Sequence, residues 1–165
     1  MKEFLQYNIN RYDHFYDSVN NKGQFLLGIN TFLLSGYITI YVVMSQKKID
    51  DWWLCALIFI LFTTSVLSVL LTLLAITPYT KSGGSSLMYY GSVGVMKEPD
   101  FKKKIESLTD ESIEDDLIRQ QYIMAKGLRR KFRLMKASTI LLCADFALIV
   151  PTFILLFNHK NTLLS

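Results

Sequence analysis

The sequence contains few residues of the kinds that bind metals or form disulfides. Among 165 residues there are two cysteines and two histidines. Cys55 and Cys143 lie within long apolar segments, where a free cysteine behaves as a small buried hydrophobe. His14 and His159 lie at opposite ends of the chain, so we do not expect them to share a metal ion or a catalytic dyad. The sequence therefore predicts no metal site, no cofactor and no disulfide framework.

Short catalytic motifs are also absent. The sequence has no H-E-x-x-H, C-x-x-C, G-x-S-x-G or G-x-x-x-x-G-K-[ST] pattern, the spacings that metalloproteases, thiol oxidoreductases, serine hydrolases and P-loop nucleotidases use. The acidic residues Glu114, Asp115 and Asp116 fit the start of a helix, where carboxylates favour the positive end of the dipole. We therefore expect a protein that is not an enzyme.

Charge is nearly absent from three long segments, 23–46, 52–80 and 137–158, in which the only charged side chain is Asp145. Each segment exceeds the roughly 18 to 20 residues that a helix needs to cross the hydrocarbon core of a bilayer. The fold class predicted is an all-α membrane protein with three transmembrane helices.

Basic residues are distributed unevenly around these spans. Fifteen of the 18 lysines and arginines lie in 1–22 and 81–136, which share one side of the membrane if there are three spans. The positive-inside rule places that side in the cytoplasm and the C-terminus outside. The predicted organisation is a cytoplasmic helix 1–22, transmembrane helices 23–46, 52–80 and 137–158, a cytoplasmic ligand-sensing region 81–136, and an extracytoplasmic tail 159–165.

Helical periodicity is visible outside the spans as well. Apolar residues recur at helical spacing before Val19, which predicts an amphipathic N-terminal helix, and residues 20–23 predict a break before the first span. Ser107 or Thr109 is expected to cap a long cytoplasmic helix from Asp110 that runs into the third span. The pattern of residues 87–96 leaves open a short strand pair or a segment on the membrane surface.

Polar residues within the spans are the candidates for a pore or a gate. Asp145 should face a protein interior or water, because a carboxylate at the bilayer centre costs roughly 2.5 to 3.5 kcal/mol. Asn30 is its companion candidate and a possible hydrogen-bond partner. Small polar residues recur every three to four residues and either join helices or line a conducting path in an oligomer. They are Asn30, Thr31, Ser35 and Thr39 in span one, and Thr64, Ser68 and Thr72 in span two.

Several short motifs, in their order around the spans, resemble a known family. They are KGQFLLGIN at 22–30, Pro78 at the exit of span two, Tyr90-Gly91, and QYIMAK at 121–126 followed by Leu128, Lys131 and Phe132. They look like the small transmembrane Pycsar effectors of bacterial anti-phage defence. The resemblance implies an inner-membrane effector that disrupts the membrane when a nucleotide signal changes during infection. A partner nucleotidyltransferase makes that signal. The resemblance carries over no catalytic residues.

The resemblance leaves two anionic ligands open. Pycsar effectors are linked to cyclic pyrimidine mononucleotides, whereas in the similar Hailong system an oligonucleotide holds a membrane effector closed. The cytoplasmic basic residues also suit anionic lipid headgroups, and Arg119 has Asp115 or Asp116 as a possible ion-pair partner. The repeated cations and aromatics favour a single strand. The predicted ligand-binding residues are Arg11, Arg119, Arg129, Arg130, Lys131 and Arg133.

The sequence therefore predicts a homo-oligomer, taken as a tetramer, that forms a gated pore under nucleotide control. The alternative is a non-conducting membrane anchor or assembly protein that recruits a soluble partner through its cytoplasmic helix. A small transporter is disfavoured because no inverted repeat or pair of broken helices is visible.

Overall fold

The computed structural model describes residues 1–47, 49, 51–78 and 86–164, and within these ranges the regular secondary structure is helical, without strands. Three of the helices are long and apolar enough to cross a membrane. This confirms the predicted all-α membrane class. The helices are α1 Lys2–Gln46, α2 Trp52–Ile76, α3 Tyr90–Val93, α4 Glu98–Glu106 and α5 Asp110–Leu164.

The first helix corrects one prediction. The break expected at residues 20–23 is wrong, because α1 continues through them without interruption. Gly23 is buried in this helix, and a Cβ atom at its position would overlap the Ile76 side chain and lie 3.3 Å from Met135 Cε. The glycine therefore permits helices to approach closely, which small residues do in membrane bundles, and does not form a turn.

The last helix confirms the prediction of one long helix that continues into the third span. Its start is fixed by a reciprocal pair of hydrogen bonds: the Ser112 amide donates to Thr109 Oγ1 at 3.2 Å, and the Thr109 amide donates to Ser112 Oγ at 3.0 Å. Thr109 is therefore the capping residue. Pro151 lies inside the helix and does not end it.

Residues 87–96, which the sequence left undecided, contain the single turn α3 and no strand. The segment is attached to α5 through Asp116, whose Oδ2 accepts hydrogen bonds from Ser86 Oγ at 2.9 Å and the Leu87 amide at 3.0 Å. The start of the predicted ligand-sensing region, 81–85, lies outside the described residues.

The chain divides into two units. The first contains Met1–Val19 and Thr77–Lys131, and the second contains Asn20–Ile76 and Phe132–Ser165. In the first unit, Lys2 pairs with Asp110 and the Tyr16 hydroxyl donates to the Met124 carbonyl at 2.9 Å. Both pairs are separated by 108 residues. The α1 and α5 segments of this unit are therefore parallel and in register.

In the second unit, the buried positions of all three long helices follow steps of three, four or seven residues. This is the repeat of helices that pack at a small left-handed crossing angle. Polar residues occupy several of these positions, so the unit has a partly polar core. The buried positions include Leu26, Asn30, Leu33, Tyr37 and Met44 on α1, Leu54, Ile58, Leu61, Ser65, Ser68, Thr72 and Ala75 on α2, and Met135, Ser138, Leu142, Asp145 and Thr152 on α5.

Candidate functional site

The predicted ligand-binding arginines are all exposed. Arg11, Arg119, Arg129 and Arg130 belong to the first unit, and Arg133 belongs to the second. Within the described ranges, the ion pairs are Lys2 with Asp110 and Lys102 with Glu106, so no salt bridge neutralises these arginines. Asp116 Oδ2 accepts hydrogen bonds from Ser86 Oγ and the Leu87 amide, and no salt bridge joins Asp116 to Arg119 among the described residues.

Spacing on α5 groups several cations on one helix face. Arg119, Tyr122, Lys126 and Arg129 are separated by three, four and three residues and are all exposed. We call them the α5 stripe. At 1.5 Å per residue the stripe is about 15 Å long. Tyr122 is 68% exposed and lies among the cations of the stripe.

The first helix carries a second group of the same kind. Phe4, Tyr7 and Arg11 are separated by three and four residues, and we call them the α1 stripe; both aromatic side chains are 64% exposed. The Arg11 guanidinium lies 5.7 Å from the centroid of the Phe15 ring, in cation–π range. Because α1 and α5 are in register at an offset of 108, Arg11 and Arg119 lie at the same level of the unit.

Lys131 differs from the other predicted ligand-binding residues. It is only 5% exposed, and its ammonium lies 5.6 Å from the centroid of the Tyr16 ring. Burial lowers the pKa of this lysine below its ordinary value of 10.5. Lys131 is therefore placed in the interior of the first unit, beneath the ring whose hydroxyl binds the Met124 carbonyl.

Asp145 lies in the core of the second unit, as the cost of exposing a carboxylate to lipid predicts. It is fully buried, and both of its oxygens accept hydrogen bonds from α2: Oδ1 from the Thr64 hydroxyl, and Oδ2 from the Ser65 hydroxyl at 2.6 Å. Thr64 is one of the small polar residues predicted in span two, whereas Ser65 was not predicted. Whether Asp145 acts in conduction or gating stays a prediction.

A second hydroxyl cluster joins the same two helices. Ser138 Oγ lies 2.9 Å from Ser68 Oγ and 2.6 Å from Thr72 Oγ1, and it donates to the Ser68 carbonyl at 3.0 Å. All three residues are fully buried. Sequence reasoning missed Ser138, although its position seven residues before Asp145 places the two on the same helix face.

Asn30 is also fully buried, but it does not bond to Asp145. Its Nδ2 donates to the Leu26 carbonyl at 2.8 Å, and its Oδ1 has no hydrogen-bond partner among the described residues. Tyr37, two turns further along α1, is buried on the same face of the helix. The structure therefore places the two predicted gate residues in one core without joining them.

The remaining polar residues predicted in span one lie on a different face of α1 from Asn30. Thr31, Ser35 and Thr39 are exposed on the outside of α1, where each hydroxyl donates to the carbonyl four residues earlier at 2.7 to 2.8 Å. We call them the outer hydroxyl face. The sequence grouped these residues with Asn30, but Asn30 points into the core because one residue is a rotation of about 100°.

Comparison with known proteins gives one match. The family model described as the Pycsar effector protein domain matches residues 4–158, which confirms the resemblance seen in the sequence. No curated protein and no solved structure matches the chain.

Proposed function

Because the chain belongs to the Pycsar effector family, we propose that it halts infected cells by opening an oligomeric pore in the bacterial inner membrane under nucleotide control. The proposal assigns no catalytic step to this chain. The observation that carries it is the buried Asp145, whose two oxygens bind hydroxyls of α2. Ionisable residues inside membrane spans are costly and usually functional.

The pore requires several copies of the chain. Three helices whose buried positions face one another leave no conducting path inside one protomer, and closed symmetric assemblies are the usual solution. The outer hydroxyl face, Thr31, Ser35 and Thr39, supports this arrangement because small polar residues favour helix–helix contact in membranes and suit the wall of a wet path. A tetramer is the working stoichiometry.

Gating follows from the enclosure of Asp145. With its oxygens bound to Thr64 and Ser65, the carboxylate is inaccessible to ions, so we assign the described arrangement to the closed state. Opening exchanges these bonds for water at the pore axis through a shift of α5 against α2. Asn30 is the companion gate residue, because its unpaired buried oxygen is available for a new partner after the shift.

The ligand proposed is a nucleotide or, preferably, a single-stranded oligonucleotide on the cytoplasmic side. The α1 and α5 stripes support a strand because cations bind successive phosphates while exposed aromatic rings stack on bases. A cyclic mononucleotide is the other ligand that the family suggests. Either ligand shifts the pore only through different affinities for the closed and open states, so its contacts with the stripes must differ between them.

The proposed orientation rests on charge. Fifteen of the 18 lysines and arginines lie in 1–22 and 81–136. Short segments rich in lysine and arginine stay on the cytoplasmic side during insertion. This places the two stripes in the cytoplasm, where a nucleotide made by a partner enzyme reaches them.

Two coupled measurements test the proposal. The full chain is purified in detergent from its native host, and any nucleotide released by denaturation is identified by mass spectrometry. The same preparation is reconstituted into liposomes, and ion flux is measured with and without that nucleotide. We expect a nucleotide to co-purify and to change the flux.

The variant Asp145→Asn examines the gate in the same liposomes. It keeps the shape and removes the charge, so we expect assembly to persist while cation preference or toxicity changes. Thr63→Val is the matched control, because Thr63 is exposed and bonds only to carbonyls of its own helix. Absence of flux in every preparation would leave the non-conducting anchor as the better function.

A further inference from the structure

Two lysines mark the positions at which α1 and α5 become apolar. Lys22 directly precedes the charge-free segment 23–46, and Lys136 directly precedes the charge-free segment 137–144. Both side chains are exposed. Because lysine is costly inside the hydrocarbon core and favourable at its edge, each lysine marks the membrane surface on its own helix.

The helices of the second unit bring these two positions to one level. A Cβ atom on Gly23 would lie 3.3 Å from Met135 Cε and would overlap the side chain of Ile76, the last residue of α2. Gly23 and Met135 are the direct sequence neighbours of the two lysines, which therefore lie at the same level of the unit. The ends of all three apolar helices thus meet at one membrane surface.

A groove opens between α1 and α5 at this level. It has a volume of about 410 Å³, within the roughly 300 to 1,000 Å³ of small-molecule sites. Lys136 precedes the lining residue Thr139 by three residues, so it lies on the same face of α5. We call this feature the boundary groove; it is lined by Asn21, Lys22, Phe25, Leu26, Met135 and Thr139.

The charge at the boundary groove is positive and is not neutralised by neighbouring side chains. The sequence has no Asp or Glu in 18–49, 52–97 or 117–144. Within the described ranges, neither Lys22 nor Lys136 takes part in a salt bridge. An anion that neutralises these ammonium groups therefore has to come from outside the helices.

The composition of the boundary groove favours an anionic phospholipid as its occupant. Phe25, which is 71% exposed, and Leu26 supply an apolar surface beside the cations. An acyl chain fits such a surface, and a phosphate fits the ammonium groups at its rim. A second copy of the chain fits less well, because its spans contain no carboxylate at this level and a symmetric contact would oppose like charges.

We propose that the boundary groove binds one anionic phospholipid, with Lys22 and Lys136 binding its phosphate and an acyl chain lying along Phe25. The bound lipid joins α1 to α5 at the membrane surface. The site is independent of the proposed nucleotide control, since it shares no residue with the α1 or α5 stripes.

Native mass spectrometry of the full chain tests the charge of the site. The protein is purified in detergent, mixed with equal amounts of phosphatidylglycerol and phosphatidylcholine that carry the same acyl chains, and released from the micelle. We expect one phosphatidylglycerol per chain, retained several-fold more often than phosphatidylcholine. In Lys22→Gln/Lys136→Gln this retention should fall about fivefold or more, since each lysine near an anionic surface contributes about fivefold.

Lys102→Gln/Lys103→Gln is the matched control, because it removes the same charge from α4 and leaves the groove unchanged. This variant should retain phosphatidylglycerol. Equal loss in the two double variants would overturn the proposal, because it would show that the lipid responds to overall charge. Equal retention of the two lipids by the native chain would overturn it too.

A second pair of variants tests the groove itself without a change in charge. Thr139→Trp fills the groove, and Ile140→Trp adds the same side chain at the next position, which is 57% exposed and does not line the groove. We expect only Thr139→Trp to lose phosphatidylglycerol. Unchanged retention in Thr139→Trp would overturn the proposal, and so would native oligomers without lipid, since a second copy would then occupy the groove.

Discussion

At the scale of single residues, the buried carboxylate of Asp145 and the buried ammonium of Lys131 are held by different chemistry. Asp145 is surrounded by hydroxyl donors from α2, whereas Lys131 rests on the face of the Tyr16 ring. A carboxylate accepts hydrogen bonds and an ammonium is attracted by an aromatic ring, so each environment matches the sign of its charge. The pKa of Lys131 is nevertheless lowered, because burial removes the ammonium from water.

Lys131 predicts a pH dependence of stability. Burial penalises the charged form in the folded state, so the penalty is complete below the lowered pKa and disappears as the pH approaches the ordinary value of 10.5. We expect the stability of the native chain relative to Lys131→Met to rise with pH across that window. Thermal unfolding in one detergent at several pH values measures the difference. Lys126→Met, at an exposed position of the same helix, controls for the lost charge. Plots of stability against pH that run parallel for the native and Lys131→Met proteins would contradict the prediction.

At the scale of elements, the long helices follow from patterns that the sequence displays. Apolar length predicts the three spans, and Ser107 or Thr109 ahead of Asp110 predicts the start of α5, where the structure has Thr109 as the cap. The course of α1 was not predictable in the same way, because residues 20–23 have turn propensity and their helical state depends on the tertiary contacts of Gly23. The local sequence does not show which side chains of neighbouring helices pack against a glycine.

The positions of the polar residues within the spans were also only partly predictable from the sequence. The cost of an exposed carboxylate predicts that Asp145 is buried, but the sequence does not distinguish Asn30 from Thr31 as the inward residue. That distinction depends on the rotation of α1 against its partners. Ser138 became evident only from the buried repeat that it shares with Asp145.

Gly23 gives a prediction for the packing of α1. In Gly23→Ala the new methyl group overlaps Ile76 and crowds Met135, so we expect a loss of about 1 to 3 kcal/mol in stability. Gly28→Ala is the matched control, because no atom lies within 4 Å of its added Cβ and alanine favours a helix by up to about 1 kcal/mol. Unfolding in detergent compares the two variants. Equal stability would show that Gly23 is not a close-packing position.

At the scale of the whole chain, the net charge of +4 is less informative than its placement. Exposed cations lie in the α1 and α5 stripes, and others lie on α4 at Lys102, Lys103 and Lys104. The two stripes combine their cations with exposed aromatic rings, a combination that suits nucleic acid. The contribution of the α5 stripe can therefore be separated from that of overall charge by substitutions on α5 and α4 that change the charge equally.

The α5 stripe provides the test for the nucleotide partner. In Arg119→Glu/Lys126→Glu/Arg129→Glu we expect loss of the co-purifying nucleotide and, for a strand, a fall of about 2 in the slope of binding against salt, since each phosphate contact contributes about 0.7. Lys102→Glu/Lys103→Glu/Lys104→Glu on α4 carries the same change in charge and should retain the nucleotide. Fluorescence anisotropy with a labelled oligonucleotide, at several salt concentrations, measures both variants in detergent. Equal loss of binding in the two variants would mean that the ligand responds to overall charge, and unchanged binding in the first would place the ligand away from α5.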